Sequence, residues 1–262
     1  MPGNPIEIKA DVIAITDPSE KDRDQHLWGD RLMVGFGNIV AWLFPILMIA
    51  IVTQVIIRKA GANQAWLDDA QWWMYGFAML TGFGYAITTN SHVRVDILHQ
   101  SFSPTKKAKI EVFALGWLLL PFLIMMTDIL FHYAYSSWVA GEGSDSPNGL
   151  HMLYLLKMSL PVLFALAMIA AVAALNRNLS TLTTPTVWKM VLAALPASWF
   201  AAERFSHYAL YGFTRITQPD INPRAVTRQD IFDYTSWIGL ALMVAVIAFS
   251  FFLGSRRSSG QS

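Results

Sequence analysis

Five stretches of this chain, residues 32–57, 72–89, 112–139, 150–175 and 234–253, are nearly unbroken apolar runs about the length of a membrane crossing. A helix spanning the ~30 Å hydrocarbon core needs about 20 apolar residues, and neither strands with open edges nor loops can satisfy their backbone groups in lipid. Each run therefore reads as a transmembrane helix. Composition agrees: 54% of residues are hydrophobic and 14% charged, whereas a soluble domain carries about 25% charged residues. The expected fold is an all-α membrane protein, with a four-helix transmembrane core and a C-terminal extension holding an interfacial helix and a fifth transmembrane helix.

Residues 187–202 are the ambiguous part of that extension. The segment is short, contains Lys189 and Pro196, and is followed at once by Glu203 and Arg204. The reading favours an interfacial or half-buried helix over a crossing. The organisation expected is a polar N-terminal segment at 1–31, a membrane domain at 32–177, a linker with the interfacial helix at 178–233, and a last span with a polar tail at 234–262. The acidic N-terminal segment and the length of the first run indicate a retained helix, since a signal-peptide h-region is about 7 to 15 residues long.

Orientation follows from Lys and Arg. The segment after the second run carries Arg94, Lys106, Lys107 and Lys109, and the one after the third, EGSDSPNG, carries only acids. By the positive-inside rule the first is cytoplasmic and the second external, which puts the N-terminus in the cytoplasm. Trp66, Trp72, Trp73 and Tyr75 flanking the outer end of the second run, with Tyr133, Tyr135, Trp138 and Tyr154 on the third and fourth, form an aromatic belt at the external interface. The C-terminal part has two arrangements. With 187–202 on the cytoplasmic side, Arg204, Arg215, Arg224 and Arg228 are internal; with a crossing they become external and Arg256 and Arg257 internal. The charge count leans to the first.

The absence of cysteine excludes disulfides, thiolate metal sites and covalent c-type haem. No P-loop, dinucleotide fingerprint, zinc-protease or nucleophile-elbow motif is present, and no cofactor is expected. The charged residues inside apolar runs, Asp128 and Lys157, are costly in lipid and so invite a functional reading. Their depths from the external helix ends differ by only ~6 Å at 1.5 Å per residue. An interhelical Asp128–Lys157 pair, with His132 nearby, is one expectation; the other has Lys157 snorkelling outward and Asp128 facing a partner protein. His132 and His151 near the external ends also admit a bis-histidine haem. In SHVRVDIL, His92 and Asp96 share a helix face, and Arg94 suits a lipid-phosphate anchor.

Several motifs occur in an order that resembles a known family. They are Arg58 closing the first span, WLDDAQWW with Asp69, HVRVDIL, SPTKKAKIE leading into LLLPF, EGSDSPNGL, and LYLLKMSLPV with Lys157 and Pro161. Over residues 32–177 the chain resembles the small membrane subunit of tripartite ATP-independent periplasmic (TRAP) transporters, of the mannitol/chloroaromatic branch. The resemblance implies a non-enzymatic scaffold for a large permease subunit in the bacterial inner membrane. It also implies a periplasmic solute-binding protein as partner and ion-gradient-driven, sodium-coupled uptake of an organic acid or related solute. The interface residues it implies are Arg58, Asp69, His92, Arg94, Asp96, Glu142, Ser144 and Lys157. The rival reading is a haem-binding membrane anchor of a redox complex.

Overall fold

The computed structural model describes residues 23–91 and 101–259, with side chains to 253. Among these residues every regular element is helical. Four helical stretches are long and apolar enough to cross a membrane: Trp28–Lys59, Pro104–Ala140, Leu153–Ser180 and Asp230–Leu253.

The first stretch is two helices, α1 (Trp28–Val40) and α2 (Leu43–Lys59). Pro45 explains the break between them: its ring excludes the carbonyl of Ala41 and it has no N–H to donate. Helix α3 (Ala65–Thr89) covers the expected second span and begins seven residues before it, but is not among the four stretches apolar enough to cross; it ends on Asn90 in the left-handed region at φ 52°. Helix α4 (Pro104–Phe113) starts with Ser103 accepting a hydrogen bond from the Lys106 backbone N–H, beside Pro104 in the first turn. A π-helical turn, Ala114–Leu119, joins α4 to α5 (Leu120–Ala140). Gly141 at φ 60° ends α5. Helix α6 is Leu153–Ser180 and runs through Pro161.

Helix α6 is the axis of the core, packed against α1, α3, α4 and α5. Its buried face is a stripe of small residues, Ala167, Ala170, Ala171, Ala173 and Ala174. With no hydrophobic force between helices in lipid, association depends on close van der Waals fit, and alanine lets backbones approach. A Cβ on Gly29 would lie 3.3 Å from Ala173 Cβ, and one on Gly84 would lie 3.5 Å from Ala167 Cα. Met33, Ile87, Leu120, Leu123 and Leu175 fill the space around the stripe.

Residues 187–217 form α7 (Val187–Ala193) and α8 (Leu195–Thr217), broken at Ala194. The helix expected at 187–202 therefore continues fifteen residues further. A short α9 (Pro223–Val226) and a 3₁₀ turn (Asp230–Tyr234) lead into α10 (Thr235–Ser259). Helices α7 and α8 run antiparallel to α10: the Trp188 N–H donates to Ser250 Oγ at 3.2 Å, and the Trp199 indole N–H to the Ser236 carbonyl at 3.0 Å. They run parallel to α5, since the Gly116 backbone meets Ala193 and Ala194, and Asp128 meets Arg204 and Tyr208.

Candidate functional site

The loop between α5 and α6 gathers four of the residues singled out from sequence. Lys157, in the second turn of α6, donates to both oxygens of Glu142 at 2.6 Å, and its ammonium sits 4.3 Å from the Tyr133 ring centroid. Ser137 Oγ donates to Glu142 Oε2 at 2.6 Å. Asp69, in the second turn of α3, accepts from the Leu150 N–H at 2.9 Å. Ser144 accepts from the Ser146 N–H at 3.2 Å, and its own N–H donates to the Leu150 carbonyl at 3.0 Å. Gly149 is wedged between them: a Cβ there would lie 2.4 Å from Ser144 Oγ and 2.6 Å from Asp69 Oδ2. The EGSDSPNGL sequence thus folds as a tight cap tied to α3, α5 and α6. The hydrogen-bonded Lys157 ammonium, and then the Ser137 hydroxyl, hold the Glu142 carboxyl below its ordinary value of 4.5.

Arg58 lies at the same end, bonded to Asp68 at 3.4 Å in an exposed pair across the α2–α3 turn. His92, Arg94 and Asp96 lie outside the described residues.

The structure does not bring Asp128 and Lys157 together. Lys157 points to the α5–α6 loop, and Asp128 points to α8, where Tyr208 donates to Oδ1 and Arg204 approaches Oδ2 at 3.5 Å. Arg204 also holds Glu203 through two bonds of 2.6 Å, and Thr235 of α10 donates to Glu203 Oε1 at 3.2 Å. His132 Nε2 is 2.8 Å from the Tyr208 hydroxyl. One helix turn relates Asp128 to His132, and one relates Arg204 to Tyr208, so two facing helix stripes mesh. His151 Nδ1 lies 2.8 Å from the Gly149 carbonyl, so each of the two histidines considered for haem is engaged with protein groups.

Sequence reading missed a further charge pair, at the start of α1. Asp30 is fully buried and paired with Arg177 of α6, which also donates to the Thr88 carbonyl of α3 at 2.9 Å. Asp30 accepts from the Leu27 N–H at 3.0 Å as well, so it ties the start of α1 to two other helices. The signal was present as an acid three residues after a helix start, but the apolar run begins beyond it, and Asp30 counted as part of the polar tail.

Open hollows flank the core. One of about 360 Å³ lies against Ile124, Thr127, Asp128, Phe131, Met168 and Tyr208. Another of about 350 Å³ lies against Leu47, Ile51, Gln71, Trp72 and Tyr75.

These features define a multi-pass helical membrane protein whose core charges serve to join one helix to another. The family model "Tripartite ATP-independent periplasmic transporters, DctQ component" matches residues 47–181, just over half of the chain. The chain belongs to this family and is a small membrane subunit of a TRAP transporter. No curated protein and no solved structure matches it.

Proposed function

We propose that this subunit is the stationary scaffold of its transporter: it enlarges the membrane-embedded body against which a large permease subunit moves, and carries no solute itself. The observation that carries this reading is that the charges of the core and of the α5–α6 cap are used within the protein. Asp30, Asp69, Glu142, Lys157 and Arg177 are each bonded to a neighbouring helix or loop, and such staples resist deformation, whereas a solute site needs polar groups left to converge on the cargo. The exposed apolar face of α2, with Ile46, Met48, Ile49, Val52 and Ile56, suits lipid or a helical partner.

In this reading the partners are the large permease and a periplasmic solute-binding protein, the membrane is the bacterial inner membrane, and the N-terminus is cytoplasmic. The α5–α6 cap with Asp69, Glu142 and Ser144 then faces the side from which the binding protein arrives. Arg58, Lys157, His92, Arg94 and Asp96 serve as groups at the subunit or lipid interface. The cargo is an organic acid or related solute taken up with sodium, and the branch is the mannitol/chloroaromatic one, on the motifs quoted above. The family match lends the haem-anchor alternative no support.

Whole-cell uptake after deletion of this chain tests the scaffold role. Maximal rate is expected to fall steeply, because the permease loses its anchor. Uptake at the wild-type rate without the chain, or a reordered preference among solutes on Glu142→Gln or Asp69→Asn, would overturn it.

A further inference from the structure

Beyond the family-matched residues, we infer that α7 and α8 cross the bilayer beside α10, so that residues 187–253 form a transmembrane hairpin whose outward surface contacts lipid hydrocarbon. Three observations carry this, and none depends on the transport reading.

The first is register. Contacts with α10 run from Ser250, opposite Trp188, to Ser236, opposite Trp199, roughly 14 residues or about 21 Å of helix. They continue past it, with the His207 and Phe232 ring centroids 5.2 Å apart. Contacts with the α5 stretch run from Gly116, opposite Ala193, to His132, opposite Tyr208, roughly 16 residues or about 24 Å. A helix lying in the interface would cross the ends of these two spans. This one follows both through most of the ~30 Å core.

The second is which face is polar. An interfacial helix turns its charges outward to water and its apolar side to lipid. Here the arrangement is reversed. The exposed residues from 187 to 216 are Val187, Leu192, Trp199, Ala201, Phe205, Tyr208, Ala209, Phe213 and Ile216. Of these only Trp199 and Tyr208 carry a polar group, and both are bonded within the protein, the indole N–H to the Ser236 carbonyl and the hydroxyl to Asp128. Glu203 and Arg204 are turned inward, at 12% and 30% side-chain exposure, towards Asp128 and Thr235. Buried charge with apolar exposure is the pattern of a helix in lipid.

The third is where the remaining charges fall. Lys189 donates to Thr183 and to the Thr184 carbonyl at one end, and Arg215 to the carbonyls of Pro219 and Ile221 at the other. Between them lie roughly 26 residues, about 39 Å of helix, which fits a crossing with both cations at the headgroups. The 218–222 turn then lies on the same side as the α5–α6 cap, and the C-terminal tail lies on the side of the 181–186 turn.

The chain has no cysteine, so single-cysteine variants report sidedness directly. The full chain, expressed with its partner subunits, would carry Asp220→Cys, Ser146→Cys, Thr184→Cys or Ser258→Cys. A membrane-impermeant maleimide would be applied to intact cells and to inverted vesicles. Asp220→Cys is expected to label from the side that labels Ser146→Cys, and Ser258→Cys from the side that labels Thr184→Cys, each with at least a tenfold bias. Repeating the comparison with Arg224→Cys guards against a local effect of one substitution. Asp220→Cys and Arg224→Cys labelling with Thr184→Cys, or shielded from both sides, would overturn the hairpin.

Discussion

Asp30 is at 0% exposure and Arg177 at 12%, so the carboxylate has no water to fall back on and the guanidinium little. Removing one partner leaves the other buried and uncompensated, which costs about 3–5 kcal/mol. Asp30→Asn is therefore expected to lower the stability of the purified complex by about that amount in thermal or denaturant unfolding. The double variant Asp30→Leu/Arg177→Met should recover much of the loss, since it removes both charges together. Arg58→Ala is the contrasting case: the Arg58–Asp68 pair is 63% and 39% exposed, and its loss should change stability by less than about 1 kcal/mol. Glu142 makes the α5–α6 cap pH-sensitive. Its carboxyl is held below 4.5, so the ionised form stabilises the cap above the unfolded-state value, and that contribution is lost as pH falls through the lower folded value. Protection factors for amide exchange in residues 142–152, which remove the intrinsic pH dependence of exchange, should fall on acidification in the wild type. Glu142→Gln should show low protection throughout and no such step.

The residue-scale pairings were only partly legible. Asp128 and Lys157 are legible as exceptional because charge in an apolar run needs no knowledge of packing, whereas Asp69, Glu142 and Ser144 enter only through the resemblance to the small TRAP subunit. Their partners did not follow. Depth along a helix can be counted from its end, but in a span apolar on every side no polar stripe reveals which way a residue points. Asp128 and Lys157 lie at depths close enough to pair, yet face different neighbours.

Among the elements, two glycines set how closely the C-terminal hairpin docks. A Cβ on Gly116 would lie 2.5 Å from the Ala193 carbonyl oxygen, and one on Gly239 would lie 2.6 Å from the Glu203 Cα, both fixed backbone atoms. The π turn at Ala114–Leu119, just before Pro121, presents Gly116 to the break at Ala194. Gly116→Val should push α7 and α8 off the core, and Gly239→Leu should part α8 from α10. Each is expected to cost about 1–3 kcal/mol and to raise protease cleavage at 218–229. Gly212→Ala, with nothing within 4 Å of its Cβ, is the matched control. Four of the five expected spans are legible from length and hydropathy alone; α3 falls below that measure, and α8 is not legible. Window averaging registers Glu203, Arg204 and His207 as polar without knowing that Asp128 and Thr235 lie opposite them.

At the scale of the whole molecule, the family-matched part and the hairpin meet through a polar contact on α5. Truncation after Thr184 would expose Asp128 to lipid with no guanidinium or hydroxyl beside it. The truncated chain is expected to give a lower yield of monodisperse complex than the full chain, and Asp128→Leu should rescue the truncated form while harming the full one. Size-exclusion profiles of the four proteins check this; equal profiles for both full and truncated chains with Asp128 would show that the contact contributes nothing. The α5–α6 cap has a different consequence. Its backbone is already pinned by three helix ends before any visitor touches it. On the proposal that the binding protein docks at this cap, it would meet a finished shape, and the speed of its landing would be set by encounter and orientation, not by waiting for a loop to fold.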